Sequence, residues 1–189
     1  MKKLIAKTIA FSVGVLVVGV CIFYLIMANF SPSTLSDFYF RMGNDKLTLK
    51  YSEKAYEKSE DISDLATLVE RSIVFDNATL TKEYGLKLIN SSDYSTYASE
   101  QDSGYKYYVA GSICEALYLL GENQTAIDTA FDNTATYSKV NPIRVLISLA
   151  VQNGDSTTLT SILSRLEDRQ NLNEFGNNDI SYLRDYLNL

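Results

Sequence analysis

The chain has 189 residues, with 17 Lys+Arg against 23 Asp+Glu, a formal net charge of −6, two Cys, two Pro, no Trp and no His. Without His there is no imidazole for general acid–base work, no His-containing zinc site and no His-based triad. Two Cys are too few for an all-thiolate zinc site or a disulfide framework. No metal, no other cofactor and no enzymatic activity are expected on these grounds.

The first element in chain order is apolar. Thr8 to Ser36 carries no charged residue, and Ile9 to Ala28 is almost continuously apolar. Twenty residues at 1.5 Å rise cover about 30 Å, the thickness of a bilayer's hydrocarbon core. Lys2, Lys3 and Lys7 precede the run, whereas beyond it Arg41 is offset by Asp37. This asymmetry predicts a cytoplasmic N-terminus. Residues 1–28 therefore read as the N-terminus and transmembrane anchor, with residues 9–28 in the lipid bilayer, and residues 29–189 as an extracytoplasmic domain. Ile26-Met27-Ala28 would serve as a cleavage site, but the run exceeds the roughly 7–15 residues of a signal peptide, so an uncleaved anchor is expected. Cys21, preceded by Val20, lies too deep in the run for a lipoprotein signal. A single-pass cell-membrane protein follows, and the Met-Lys-Lys start with abundant Asn and Tyr suits a bacterium. Residues 29–189 carry 14 bases and 23 acids, a net charge of −9 that argues against nucleic-acid binding.

Beyond the anchor the pattern is helical and repeats. Polar turns fall at Gly43-Asn44-Asp45, Asp76-Asn77-Ala78, Gly121-Glu122-Asn123 and Gly154-Asp155-Ser156, with first residues 33, 45 and 33 apart. Eleven, eight, seven, four and three residues before each turn lies a stripe with the spacing of one helix face. It reads Leu65, Leu68, Val69, Ser72, Ile73 in the second unit, then Ala110, Ile113, Cys114, Leu117, Tyr118, then Ile143, Leu146, Ile147, Ala150, Val151. The first unit has Pro32, Leu35, Ser36, Tyr39 and Phe40 at these places. Five, eight, nine and twelve residues after each turn, small and apolar residues recur: Thr48, Tyr51, Ser52, Ala55; Thr81, Tyr84, Gly85, Leu88; Ala126, Thr129, Ala130, Asn133; Leu159, Ile162, Leu163, Leu166. Each unit is a helix, a tight polar turn and a second helix. Ser91–Ser103 is a polar insert, expected as a long loop or a loop with one helical turn. Asn171–Asn178 is a second polar break, after which a last helix is expected from Asn178-Asp179 with Ile180, Leu183 and Leu187 on one face.

The stretch Gly43-Asn44-Asp45-Lys46-Leu47-Thr48-Leu49-Lys50-Tyr51-Ser52-Glu53-Lys54-Ala55-Tyr56 resembles the turn and second helix of the tetratricopeptide repeat family, and Gly121 with Ala126 repeats part of it. The first-helix Trp and the Leu-Gly pair of that family are absent. The resemblance covers roughly residues 32–170. It implies an all-α protein in which the transmembrane helix precedes an α-solenoid of about four helix-turn-helix units and a C-terminal capping helix. It also implies a binding module whose first helices line a concave groove. The groove places then include Phe40, Arg41, Glu70, Ile73, Glu115, Tyr118, Ser148 and Gln152, and the partner would be a protein or peptide.

Other chemistry reads blandly. Ser103-Gly104-Tyr105-Lys106 fits S-x-x-K but lacks its companion motifs, so Ser103 is expected to cap the following helix. Glu57–Asp64 reads as a charged helix end and linker, Cys114 as a core residue, and the tyrosines around 94–108 as packing for the stack. Two alternatives remain open: a structural subunit of an envelope assembly, and an envelope enzyme using Glu70 and Glu115 as a carboxylate pair.

Overall fold

The computed structural model describes residues 2–169 and 172–189, and every regular element among them is an α-helix. The part of the polar break at Asn171 lies outside the described residues. The chain divides into two compact units, residues 1–64 and 65–189.

The first unit holds α1 (Lys2–Phe30), α2 (Pro32–Arg41) and α3 (Asp45–Ser59). Within α1, Ser12–Phe30 has a mean hydropathy of 2.4 and is long and apolar enough to cross a membrane. Its side chains from Val13 to Ile26 are largely exposed, and burial begins at its C-terminal end. There Met27 and Ala28 pack with Leu35 and Tyr39 of α2 and Leu47 and Tyr51 of α3. Pro32 opens α2 at a position where its missing N–H would have had no helical partner.

α4 (Ile62–Val74) begins at the unit boundary, followed by α5 (Ala78–Ile89), α6 (Tyr94–Ser99), α7 (Tyr105–Leu119), α8 (Asn123–Asp132), α9 (Pro142–Gln152), α10 (Ser156–Glu167) and α11 (Glu174–Leu187). The polar insert thus holds a short helix of six residues, α6, which buries Tyr94 and Ala98.

All four predicted turns join helix pairs, and they share one geometry. Gly43, Asp76, Gly121 and Gly154 take left-handed φ values of 66°, 50°, 77° and 65°. The next backbone N–H then reaches back to close the first helix: Asn44 to Tyr39 at 3.0 Å, Asn77 to Ser72 at 2.8 Å, Glu122 to Leu117 at 2.9 Å and Asp155 to Ala150 at 2.8 Å. That same residue starts the second helix. The side chains of Asn44, Asn77 and Asp155 accept from the backbone N–H of Leu47, Leu80 and Thr158 at 3.1, 3.1 and 3.0 Å. Glu122 makes no such bond and instead pairs with Lys82 of α5.

The apolar stripes are the core. In α4, α7 and α9 the first four stripe places are buried and the fifth, nearest the turn, is half-buried. In α3, α5, α8 and α10 every second-helix place is buried except Asn133, which is half-buried. Small hydroxyls at these places bond across the pair, Ser36 Oγ to Ser52 Oγ at 2.6 Å and Ser72 Oγ to Thr81 Oγ1 at 2.8 Å. Within residues 65–189 successive pairs also touch. α7 packs on α5 and α9, α8 also meets α9, and the last helix α11 packs on α10. Gly85 makes the α5–α7 approach possible, because a Cβ there would lie 2.5 Å from Ile113 Cγ1.

Two helix starts differ from expectation. Ser103 is exposed, and Gly104 occupies the cap of α7 without a side-chain bond. α11 begins at Glu174 rather than at Asn178-Asp179. Asn173 caps it by accepting from Gly176 N at 3.3 Å, and Asp179 is drawn inward instead. The Asp179 carboxylate accepts from Tyr137 Oη at 2.7 Å and from Arg144 Nε at 2.9 Å, joining the loop before α9, α9 itself and α11.

Candidate functional site

The residues expected to line a groove fall in both units. Phe40 and Arg41 lie in the last turn of α2, both exposed, in the first unit. The other six belong to α4, α7 and α9, the first helices of their pairs.

Those helices border two recesses. The smaller, about 70 Å³, lies between the α4–α5 turn and α7 and is lined by Ile73, Asp76, Thr81, Ser112, Glu115 and Leu119 among others. The larger, about 350 Å³, lies between α7 and α9 with the loop before α9, and its walls include Glu115, Lys139, Val140, Val145, Ser148 and Leu149. Glu115 stands on the ridge between them, exposed on α7. Ile73, Glu115 and Ser148 are therefore recess residues, and Gln152 joins them by donating from Nε2 to Ser148 Oγ at 3.2 Å.

Glu70 and Tyr118 are engaged elsewhere. Glu70 accepts from Tyr105 Oη at 2.9 Å, and Tyr105 stacks edge-on with Tyr97 at 6.0 Å. Burial, then the hydrogen bond to Glu70, push the Tyr105 phenol well above the usual range, so it remains a neutral donor at ordinary pH. Tyr118 leans toward the α10 cap, where Asp155 also accepts from Asn123 Nδ2 at 3.1 Å. Burial and the nearby Asp155 charge raise the Tyr118 phenol.

Sequence reasoning missed Lys139, Val140, Arg144, Val145 and Leu149, which form most of the larger recess. One signal was present: Val140 is the one branched aliphatic residue in the loop at 133–141, just before the Asn141-Pro142 helix start, and it is 68% exposed. Arg144 is not a free charge there, since Nη1 donates to Lys139 O at 2.9 Å while Nε binds Asp179. The recess therefore offers valine and leucine side chains with Lys139 and Glu115 at its rim. This arrangement suits binding through apolar area with charged edges.

Cys114 is fully buried behind this surface, and burial pushes its thiol up to about 12. A thiol so placed is protonated and inert, a core group and not a nucleophile. Among the described residues no group of three or more His, Cys, Asp or Glu side chains could hold a metal ion. Comparison with protein-family models, with curated proteins and with solved structures finds no match to this chain.

Proposed function

We propose that this chain is a membrane-anchored protein-interaction module, a tetratricopeptide-like solenoid held to the bilayer by α1. It binds an extended peptide or a partner helix along α4, α7 and α9. The observation that supports this reading best is the pair of recesses sharing Glu115 beside α4, α7 and α9, both walled by apolar side chains together with charged ones. Val145 and Leu149 supply area for an apolar anchor, while Lys139 and Glu115 fix its register. Tethering raises the effective concentration for a partner in the same membrane. The N-terminus is cytoplasmic and the helical domain lies outside, by the lysine asymmetry.

The test is crosslinking in native membranes with the full chain, with the anchor alone as control. Ser148→Tyr, which fills the larger recess, and Glu115→Lys, which reverses the ridge charge, are expected to abolish capture of a partner that the wild type holds. Capture unchanged in both variants would refute this surface. A second reading, a permanent subunit of an envelope assembly, is favoured by α11, whose Phe175, Tyr182 and Tyr186 are 42%, 48% and 39% exposed. Capture lost on Tyr182→Ser with Tyr186→Ser, and kept in the recess variants, would select it.

A further inference from the structure

α2 and α3 fold back along the last turns of α1. α2 leaves α1 at Ser31, yet Tyr39, two turns into α2, reaches Tyr24, with the hydroxyls 3.4 Å apart. Tyr24 lies about 9 Å below Phe30 along α1 at 1.5 Å per residue. α2 therefore descends beside α1. α3 climbs again: Tyr51 meets Tyr24, Lys54 Nζ donates to Asn29 Oδ1 at 3.0 Å, and Lys58 Nζ donates to the Asn29 and Phe30 carbonyls at 3.1 and 3.0 Å. The turn at residues 42–46 continues a further helical turn below the Tyr39 level. It hangs beside the part of α1 just before Tyr24.

This tip carries an unusual set of side chains. Phe38 and Met42 are one helical turn apart and 54% and 65% exposed, and Phe40 is 39% exposed. Arg41 and Lys46 flank them, both exposed, with Asp37 and Asp45 balancing their charge. The turn also presents polar backbone and the Asn44 cap. Such a tip is too polar for hydrocarbon, where unsatisfied backbone and charges are excluded, and too apolar for open water. Aromatic, methionine and arginine side chains of this kind settle at the boundary of headgroups and acyl chains.

We infer that the α2–α3 hairpin is a membrane-interface element whose tip, through Phe38, Arg41, Met42 and Lys46, inserts into the headgroup layer around α1. The inference rests on α1 being a transmembrane anchor, and it moves the outer edge of the hydrocarbon from Ala28 to the level of the tip, about one helical turn below Tyr24 and near Val20. The run from Leu4 to Gly19, in which Lys7 is the one charge, then spans about 24 Å, a length a bilayer accommodates by thinning locally. Its occupant is the phospholipid surface, because the tip is continuous with the helix that enters it.

The experiment uses the full chain with Cys21→Ser, in phosphatidylcholine vesicles containing a minor share of phosphatidylglycerol. Single cysteines at Leu16→Cys, Met42→Cys or Glu57→Cys carry a nitrobenzoxadiazole label, and Cys114 stays buried and unlabelled. Lipids bearing a nitroxide near the headgroup or at the acyl terminus act as quenchers. The label at 42 is expected to be quenched severalfold more by the shallow nitroxide than by the deep one, and the label at 57 by neither. The label at 16 is expected to be quenched by the deep nitroxide. A label at 16 reached from the bilayer centre, with the label at 42 reached by neither quencher, overturns the inference and leaves the anchor standing. A label at 16 out of reach of the deep nitroxide removes the anchor reading itself, and the inference with it.

Discussion

Gly85→Ala tests whether neighbouring helix pairs stack as closely as described. In an isolated helix the change would stabilise by about 1 kcal/mol, because alanine is the better helix former. Here the new Cβ would lie 2.5 Å from Ile113 Cγ1 and 2.9 Å from Ile113 Cδ1, against the roughly 3.5–4.0 Å that carbon atoms need. Ile113 is fully buried and β-branched, so it has no free rotamer to retreat into, and α5 and α7 must separate. Overpacking of this kind costs about 1–3 kcal/mol. With a displacement near 1 Å the upper half of that range applies, which leaves a net loss of about 1–2 kcal/mol after the propensity gain. The neighbouring Cys114 supplies the readout. In a Cys21→Ser background, its alkylation requires opening of the core, so the labelling rate at equilibrium is expected to rise roughly five- to thirtyfold. Ile113→Ala should reverse the sign of the Gly85→Ala effect in a double-mutant cycle. Unchanged or slower labelling in Gly85→Ala alone would refute the close α5–α7 approach, and with it the stacking on which the solenoid proposal depends.

Four further predictions concern polar groups. Tyr94 buries a hydroxyl without a hydrogen-bond partner among the described residues, so Tyr94→Phe is expected to stabilise by about 1 kcal/mol, read as a higher urea midpoint. Asp179→Ala leaves Tyr137 and Arg144 without their acceptor. Because the Arg144 side chain is about one-third exposed, the expected loss in urea unfolding is about 2–3 kcal/mol, below the full value for a buried pair. Burial, and then the bond to Asp179, hold the Tyr137 phenol above its ordinary range, so its contribution is intact below about pH 10 and falls as pH rises through that value. Tyr137→Phe should flatten this alkaline loss, and an unchanged alkaline slope would exclude Tyr137 as its source. Asp155→Ala should cost about 1 kcal/mol as a lost cap. The Thr158 hydroxyl and backbone N–H hold the Asp155 carboxyl below the usual range, so the difference between wild type and variant should persist above about pH 4 and shrink as pH falls.

The helix pairs were readable from the chain because their signals are local. A left-handed glycine, an Asn or Asp cap and a stripe at three- and four-residue spacing all lie within one turn of the residues they govern. Asp76, the one non-glycine at its place, was still recognisable through Asn77 and the following Thr81. What joins the pairs was not readable. Gly85 looks like any small residue until Ile113 is set against it. Tyr137 and Asp179 are separated by 42 residues and share no pattern. That long-range bond is also why the start of α11 was misplaced, since an Asp in a polar stretch reads as a cap unless a distant arginine claims it. The candidate surface follows the same division. Ile73, Glu115 and Ser148 were found from their places before each turn, whereas Lys139 and Val140 come from a loop with no period.

The junction between α1 and α2 has a mechanical consequence. A single residue, Ser31, separates the two helices, and its N–H still donates to Met27 O at 2.9 Å. Lys58 grips the final carbonyls of α1 from the other side. The first three helices therefore have no swivel between them: torque or tilt applied to α1 turns the hairpin with it, as a key turns with its shaft. Built this way, the first unit transmits changes in the orientation of α1 directly to the α2–α3 hairpin, instead of absorbing them in a slack tether.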